Sequence, residues 1–148
     1  MDPVLACDWR DDHGWWWLQV QRNGDGWELE AGSPHCSETI PFADPDEVRR
    51  LARTLLALPT EPEPYEAEWE LSGPEIDAAG QRQPTGATLH VGLSRQDGHR
   101  PYLAYQSYYT TTLGPALGLE VFCDDAPVDA LRPQAQTLLT LLTLLQES

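Results

Sequence analysis

The sequence predicts an α+β fold: a two-layer sandwich whose antiparallel sheet, a hairpin plus a four-stranded meander, carries two helices packed on one face. Three observations carry that prediction. Two segments, near 44–57 and 126–146, space apolar residues at helical intervals, while several others alternate apolar and polar residues. Short turn-forming stretches such as NGDG and QDGH connect the alternating segments.

The hairpin spans about 15–31. Trp16, Leu18 and Val20 alternate in its first strand, and Trp27, Leu29 and Ala31 alternate in its second. Between them NGDG tolerates the positive φ that tight hairpin turns require. Residues 32–44 read as a loop, and the start, CDWRDDHG, reads as an acidic loop.

The first helix follows in ADPDEVRRLARTLLALP. Asp44 is placed to cap it, Pro45 suits the first helical position, and Asp46 and Glu47 complement the positive end of the dipole. Val48, Leu51, Ala52, Leu55 and Leu56 fall on one face, and Pro59 stops the helix.

From residue 65 the period becomes two. Tyr65, Ala67, Trp69 and Leu71 are expected to face the helices, with Glu66, Glu68 and Glu70 on the opposite side. ATLHVGLS, PYLAYQSYYTTT and LGLEVFC supply three more strands. The 73–86 link is long for a hairpin connection. In the C-terminal segment Pro133 is expected to start or kink a helix, and six leucines between 138 and 145 cover more than half its circumference. That helix is either well buried or shares its outer flank, Leu139 and Leu144, with a second copy in a homodimer. Beyond the Leu-Leu-Thr triplet no repeat is evident.

A chain of 148 residues fits one α+β domain over 1–148, with one core. The apolar content of 41% and six tryptophans exceed what a disordered tail carries, even at a net charge of −15. No apolar run reaches the roughly 18 residues that a membrane span needs, and MDPVLACDWRDDHG lacks the basic and apolar regions of a secretory signal. Three cysteines leave one unpaired in any disulfide scheme, so reduced thiols and a cytoplasmic location are expected. All nine basic residues are arginines, which suggests a G+C-biased bacterial coding sequence. An excess of fifteen negative charges repels phosphate backbones, which argues against direct nucleic-acid binding and favours a basic protein partner.

Chemistry-bearing patterns are sparse. Cys7, Asp8, Asp11, Asp12 and His13 cluster in sequence, but their spacing matches no established metal site. His35 and Cys36 are adjacent, and on an extended segment adjacent side chains point to opposite sides, so they do not form a nucleophile and base pair. Phosphate-binding, dinucleotide-binding, nucleophile-elbow and C-x-x-C motifs are absent from the sequence. No catalytic residue, metal site or cofactor is assigned, and an enzyme is the less favoured reading.

The charge and aromatic patterns point to contact with a partner. Glu66, Glu68 and Glu70 share one strand face, and His90 joins them if its strand is their neighbour. Glu28 and Glu30 share the polar side of another strand. If these strands are adjacent, like charges oppose one another at a cost of a few tenths of a kcal/mol per pair. Trp15 and Trp17 lie opposite the core-facing Trp16, and Tyr102 and Tyr108 lie opposite Tyr105 and Tyr109. The sequence thus suggests an inhibitor, immunity-type or chaperone-type module that meets a basic partner through Glu66, Glu68, Glu70, Glu28, Glu30, Trp15, Trp17 and His90. Two alternatives stay open. One is a small-molecule-binding protein or enzyme with a pocket of Trp15, Trp17, Tyr102, Tyr105 and Tyr108, and the other is an oligomeric structural subunit.

Overall fold

The computed structural model describes residues 5–11, 14–34, 36–58, 66–73, 80, 82–93, 101–123 and 125–147. Eight strands and two helices alternate as four strands and a helix, twice over: β1 (Leu5–Asp11), β2 (Gly14–Asn23), β3 (Gly26–Ser33), β4 (Cys36–Pro41), α1 (Pro45–Ala57), β5 (Glu66–Ser72), β6 (Gly86–Leu93), β7 (Pro101–Thr111), β8 (Gly114–Cys123) and α2 (Asp125–Glu147). The class is α+β with antiparallel strands, as the sequence predicts. The strands divide into two four-stranded meanders rather than one sheet, sheet A with order β1-β2-β3-β4 and sheet B with order β5-β6-β7-β8.

The expected hairpin gains a strand on each side. β1 replaces the expected N-terminal loop, and its inward residues Leu5 and Cys7 are buried against β2. β4 replaces most of the expected 32–44 loop. Its alternation is hidden because one inward residue is a glutamate: Glu38 and Ile40 both face the core, at 5% and 0% exposure. A charged residue at a core position reads as solvent-facing, so the strand looks like a loop.

The element order repeats although the sequence does not, and the two halves hold each other reciprocally. The α2 residue Gln134 accepts from Ala6 N–H at 2.7 Å and donates to Ala6 C=O at 3.1 Å. Its carboxamide offers the edge strand β1 the donor and acceptor that another strand would offer. In return, Arg50 of α1 donates to the Glu68 carbonyl of edge strand β5 at 2.9 Å, and Trp69 Nε1 donates to Glu47 C=O on α1 at 3.1 Å. Each helix therefore covers the first strand of the opposite half.

The start of α1 is as the sequence predicts. Asp44 Oδ1 accepts from Asp46 and Glu47 N–H at 2.8 and 3.2 Å, and Pro45 fills the first turn. Val48, Leu51, Ala52 and Leu55 are buried, and Leu56 is partly buried against the core. Helix α2 begins at Asp125, so Pro133 lies inside it rather than at its start. Along α2, Thr137, Thr140 and Thr143 donate to the carbonyls of Pro133, Gln136 and Leu139, which satisfies their hydroxyls on the outer side.

One buried cluster draws on both sheets and both helices. Sheet A contributes Leu5, Cys7, Leu18, Val20, Leu29 and Ile40, and sheet B contributes Trp69, Leu89, Val91, Leu103 and Val121. The alternation predicted for β5 holds at Ala67, Trp69 and Leu71, whereas Tyr65 lies outside the described residues.

Candidate partner-binding surface

The outer face of sheet B is set by register. Glu68 pairs with His90, His90 with Ala104 and Ala104 with Phe122; the next rows run Glu70, Thr88, Gln106, Glu120 and Glu66, Gly92, Tyr102. Carboxylates therefore occupy the β5 edge, and apolar groups gather towards β8. Among the described residues this face presents no arginine.

His90 takes the predicted place among the glutamates. Its Nδ1 lies 3.4 Å from Glu66 Oε1, at ion-pair distance but outside hydrogen-bonding geometry. Tyr102 Oη donates to Glu66 Oε2, and its ring stacks on Phe122 at 5.7 Å between centroids, 11° from parallel. Partial burial, and then the Glu66 carboxylate, push the Tyr102 hydroxyl well above the ordinary tyrosine range. Glu68 and Glu70 direct their carboxylates away from the core and are exposed.

Apolar exposure concentrates on the β7–β8 hairpin. Leu113 at its tip is 98% exposed, Leu117 61% and Phe122 50%. Tyr108 lies across Gly86, where an added Cβ would come within 2.2 Å of its hydroxyl oxygen, so a glycine is what lets the ring lie flat on the sheet. A bulge interrupts β8 opposite Ser107, whose buried hydroxyl accepts from Leu119 N–H at 2.9 Å. After this bulge Glu120 and Phe122 return to the outer face.

Sheet A has a different outer face. Trp15 and Trp17 lie there as predicted, their centroids 5.3 Å apart, with the Arg10 guanidinium 4.4 Å from the Trp15 ring. Trp17 lies so closely over Gly32 that an added Cβ would meet its ring at 2.2 Å. Both rings are half-buried by these contacts. Glu28 and Glu30 stand opposite Gln21 and Gln19 and accept from neighbouring side chains: Gln21 Nε2 donates to Glu28 at 2.7 Å, Asn23 Nδ2 to Glu28 at 3.1 Å, and Gln19 Nε2 and Trp17 Nε1 to Glu30 at 3.3 and 3.4 Å.

The eight residues predicted to bind a partner therefore occupy two faces. Glu66, Glu68, Glu70 and His90 lie on sheet B, whereas Glu28, Glu30, Trp15 and Trp17 lie on sheet A. Because β3 and β5 belong to different sheets, the condition for opposed like charges is not met, and among the described residues no glutamate pairs with a glutamate across strands. The aromatic pocket is also divided among three places: Trp15 and Trp17 outside sheet A, Tyr102 and Tyr108 outside sheet B, and Tyr105 in the core. Tyr105 and Tyr109 instead meet the 32–44 segment, each donating to Glu38 at 2.8 Å.

The remaining candidates separate. Cys7 is buried whereas Asp8 is exposed on the opposite face of β1, so alternation keeps them apart. Cys36 is exposed, with Sγ 3.6 Å from Ser33 Oγ. Asp12, His13 and His35 lie outside the described residues, as do the side chains of Asp11 and Cys123. On α2, Leu138 and Leu142 are buried, Leu139 is partly buried against the core, and Leu144 is 59% exposed. Sequence reasoning missed Leu117, Glu120 and Phe122. The bulge at 118–119 shifts the alternation of β8 by one residue, so a strict period of two misplaces its two ends.

No protein-family model matches the chain, and no curated protein is significantly similar to it. Among the described residues no helix is long and apolar enough to cross a membrane.

Proposed function

We propose that this chain is an acidic bacterial protein-binding module, of the inhibitor, immunity-protein or chaperone type, that works in the cytoplasm and receives a basic partner on the outer face of sheet B. The observation that carries this reading is the combination on one face of exposed Glu66, Glu68 and Glu70 with exposed Leu117 and Phe122. Carboxylates alone would speed encounter with any cation, and apolar groups alone would leave the partner undefined. Together they provide long-range attraction and desolvated anchors. The net charge of −15 extends the attraction beyond the face itself. The sheet A face supports the reading less well, because the cation Arg10 covers Trp15 and both Trp15 and Trp17 are half-buried.

Affinity capture from the native host, at low and moderate salt and with a polyanion as competitor, tests this reading when wild type is compared with a Leu117→Ser, Phe122→Ser double variant. Both positions are exposed, so the variant is expected to fold. The reading expects a basic protein that survives moderate salt on wild type and is lost from the variant. Retention of no basic protein, or equal retention by both, would overturn it.

A further inference from the structure

Within the outer face of sheet B there is a depression lined by Trp16, His90, Ala104, Gln106, Glu120 and Phe122. Its floor is low because Ala104 is the small member of the row between His90 and Phe122. Trp16 comes from sheet A, where β2 passes close to β8, so the wall on that side belongs to the other half of the chain. Two aromatic walls, one carboxylate and a small floor are thus brought together by residues from β2, β6, β7 and β8.

We infer that this depression is a receptor for a single arginine side chain of the basic partner; the inference rests on the function proposed above and specifies its anchor. An aromatic wall attracts a cation through the negative face of its ring, and a planar guanidinium also stacks, which a tetrahedral ammonium does not. Glu120 supplies the counter-charge. Its Oε1 accepts from Gln106 Nε2 at 3.0 Å, which orients the carboxylate and leaves it further lone pairs for a charged donor. Glu68, beside His90 in the same row, and Glu66, one row further along the same strand, add attraction of the same sign. The protein treats its own arginines in the same manner: the guanidiniums of Arg10, Arg22, Arg50 and Arg82 lie 4.0 to 5.6 Å from the ring centroids of Trp15, Trp27, Trp69 and Tyr109. The lining of this depression contains no arginine.

The test uses the full chain, isotope-labelled, and follows amide and indole chemical shifts on addition of N-acetyl-arginine methylamide. The citrulline and lysine analogues serve as controls, and a tetra-arginine peptide as a second probe. The expected result is a saturable shift of Ala104, Glu120 and Phe122 amides and the Trp16 indole. That response is absent with the citrulline analogue and at least several-fold weaker with the lysine analogue. Glu120→Gln is expected to weaken the arginine response about tenfold. Ala104→Leu, which fills the floor, is expected to abolish it while the spectrum stays dispersed. If tetra-arginine moves the Glu66–Glu70 amides but neither arginine probe moves those of the depression, this inference is overturned and the proposed function stands. If neither probe moves any amide on the outer face of sheet B, both fail.

Discussion

Glu38 Oε1 accepts a 2.8 Å hydrogen bond from Tyr105 Oη, joining β4 of sheet A to β7 of sheet B inside the core. Tyr109 Oη holds the other oxygen at the same distance. A carboxylate that is 5% exposed is tolerated there because both oxygens are satisfied. Replacing Tyr105 by Phe leaves one lone-pair set unmet, and Glu38→Ala leaves both phenols without their acceptor. The expected loss is about 1–3 kcal/mol for the first and more for the second, read as a lower urea midpoint with an unchanged m-value.

The same contact makes the fold sensitive to alkali. Burial, and then Glu38, raise the Tyr109 hydroxyl from its ordinary 10.0 to about 12, and burial with the Glu38 charge lifts Tyr105 further. Between the ordinary and the raised values the folded chain keeps protons that the unfolded chain releases. Stability is therefore complete below pH 10 and falls as pH climbs from there towards 12. Urea titrations on either side of that onset should show the decline, and Glu38→Gln should reduce its steepness. Phenolate absorbance of the native protein should lag behind that of the unfolded chain.

Gln134→Leu removes the amide that caps Ala6 at the edge of β1. The expected cost is about 1–3 kcal/mol, with faster hydrogen exchange at Ala6 and a greater tendency to associate through the uncovered edge. Arg50→Ala is the counterpart at β5 and should expose the Glu68 carbonyl with a smaller cost, because that site is more exposed.

Gly32→Ala places a methyl group within 2.2 Å of the Trp17 ring. Overpacking of this kind costs about 1–3 kcal/mol, and displacement of Trp17 should shift the tryptophan emission to the red.

On α2, Leu138→Ala should cost about 2–5 kcal/mol, whereas Leu144→Glu should change stability by no more than about 0.5 kcal/mol. Sedimentation of the Leu144→Glu variant against wild type then tests the shared-flank reading without a folding penalty. A homodimer through this flank requires the wild type to be the heavier species.

The fold was legible wherever apolar residues kept a strict period. The hairpin at NGDG, the capped helix after Asp44 and the β5 alternation all did so, because each buries one face against the core. It was illegible where a polar group occupied an inward position. Glu38 concealed β4, and the Ser107 bulge displaced the alternation of β8. The division into two sheets was hidden for another reason: whether β4 pairs with β5 across α1 is decided by tertiary packing, including the cover that Arg50 gives the edge of β5, and leaves no local pattern. The acidic row with His90 was legible because it depends only on neighbouring antiparallel strands. The Phe122 and Glu120 end of the surface was not.

The proposed docking of a basic partner on the outer face of sheet B is open to an amide chemical-shift map of the full chain titrated with a peptide of alternating arginine and leucine, at low and at moderate salt. Shifts are expected along Glu66–Glu70, His90, Ala104 and Leu117–Phe122, retained but weakened at moderate salt. Shifts confined to sheet A or α2, or none at either salt, would contradict it.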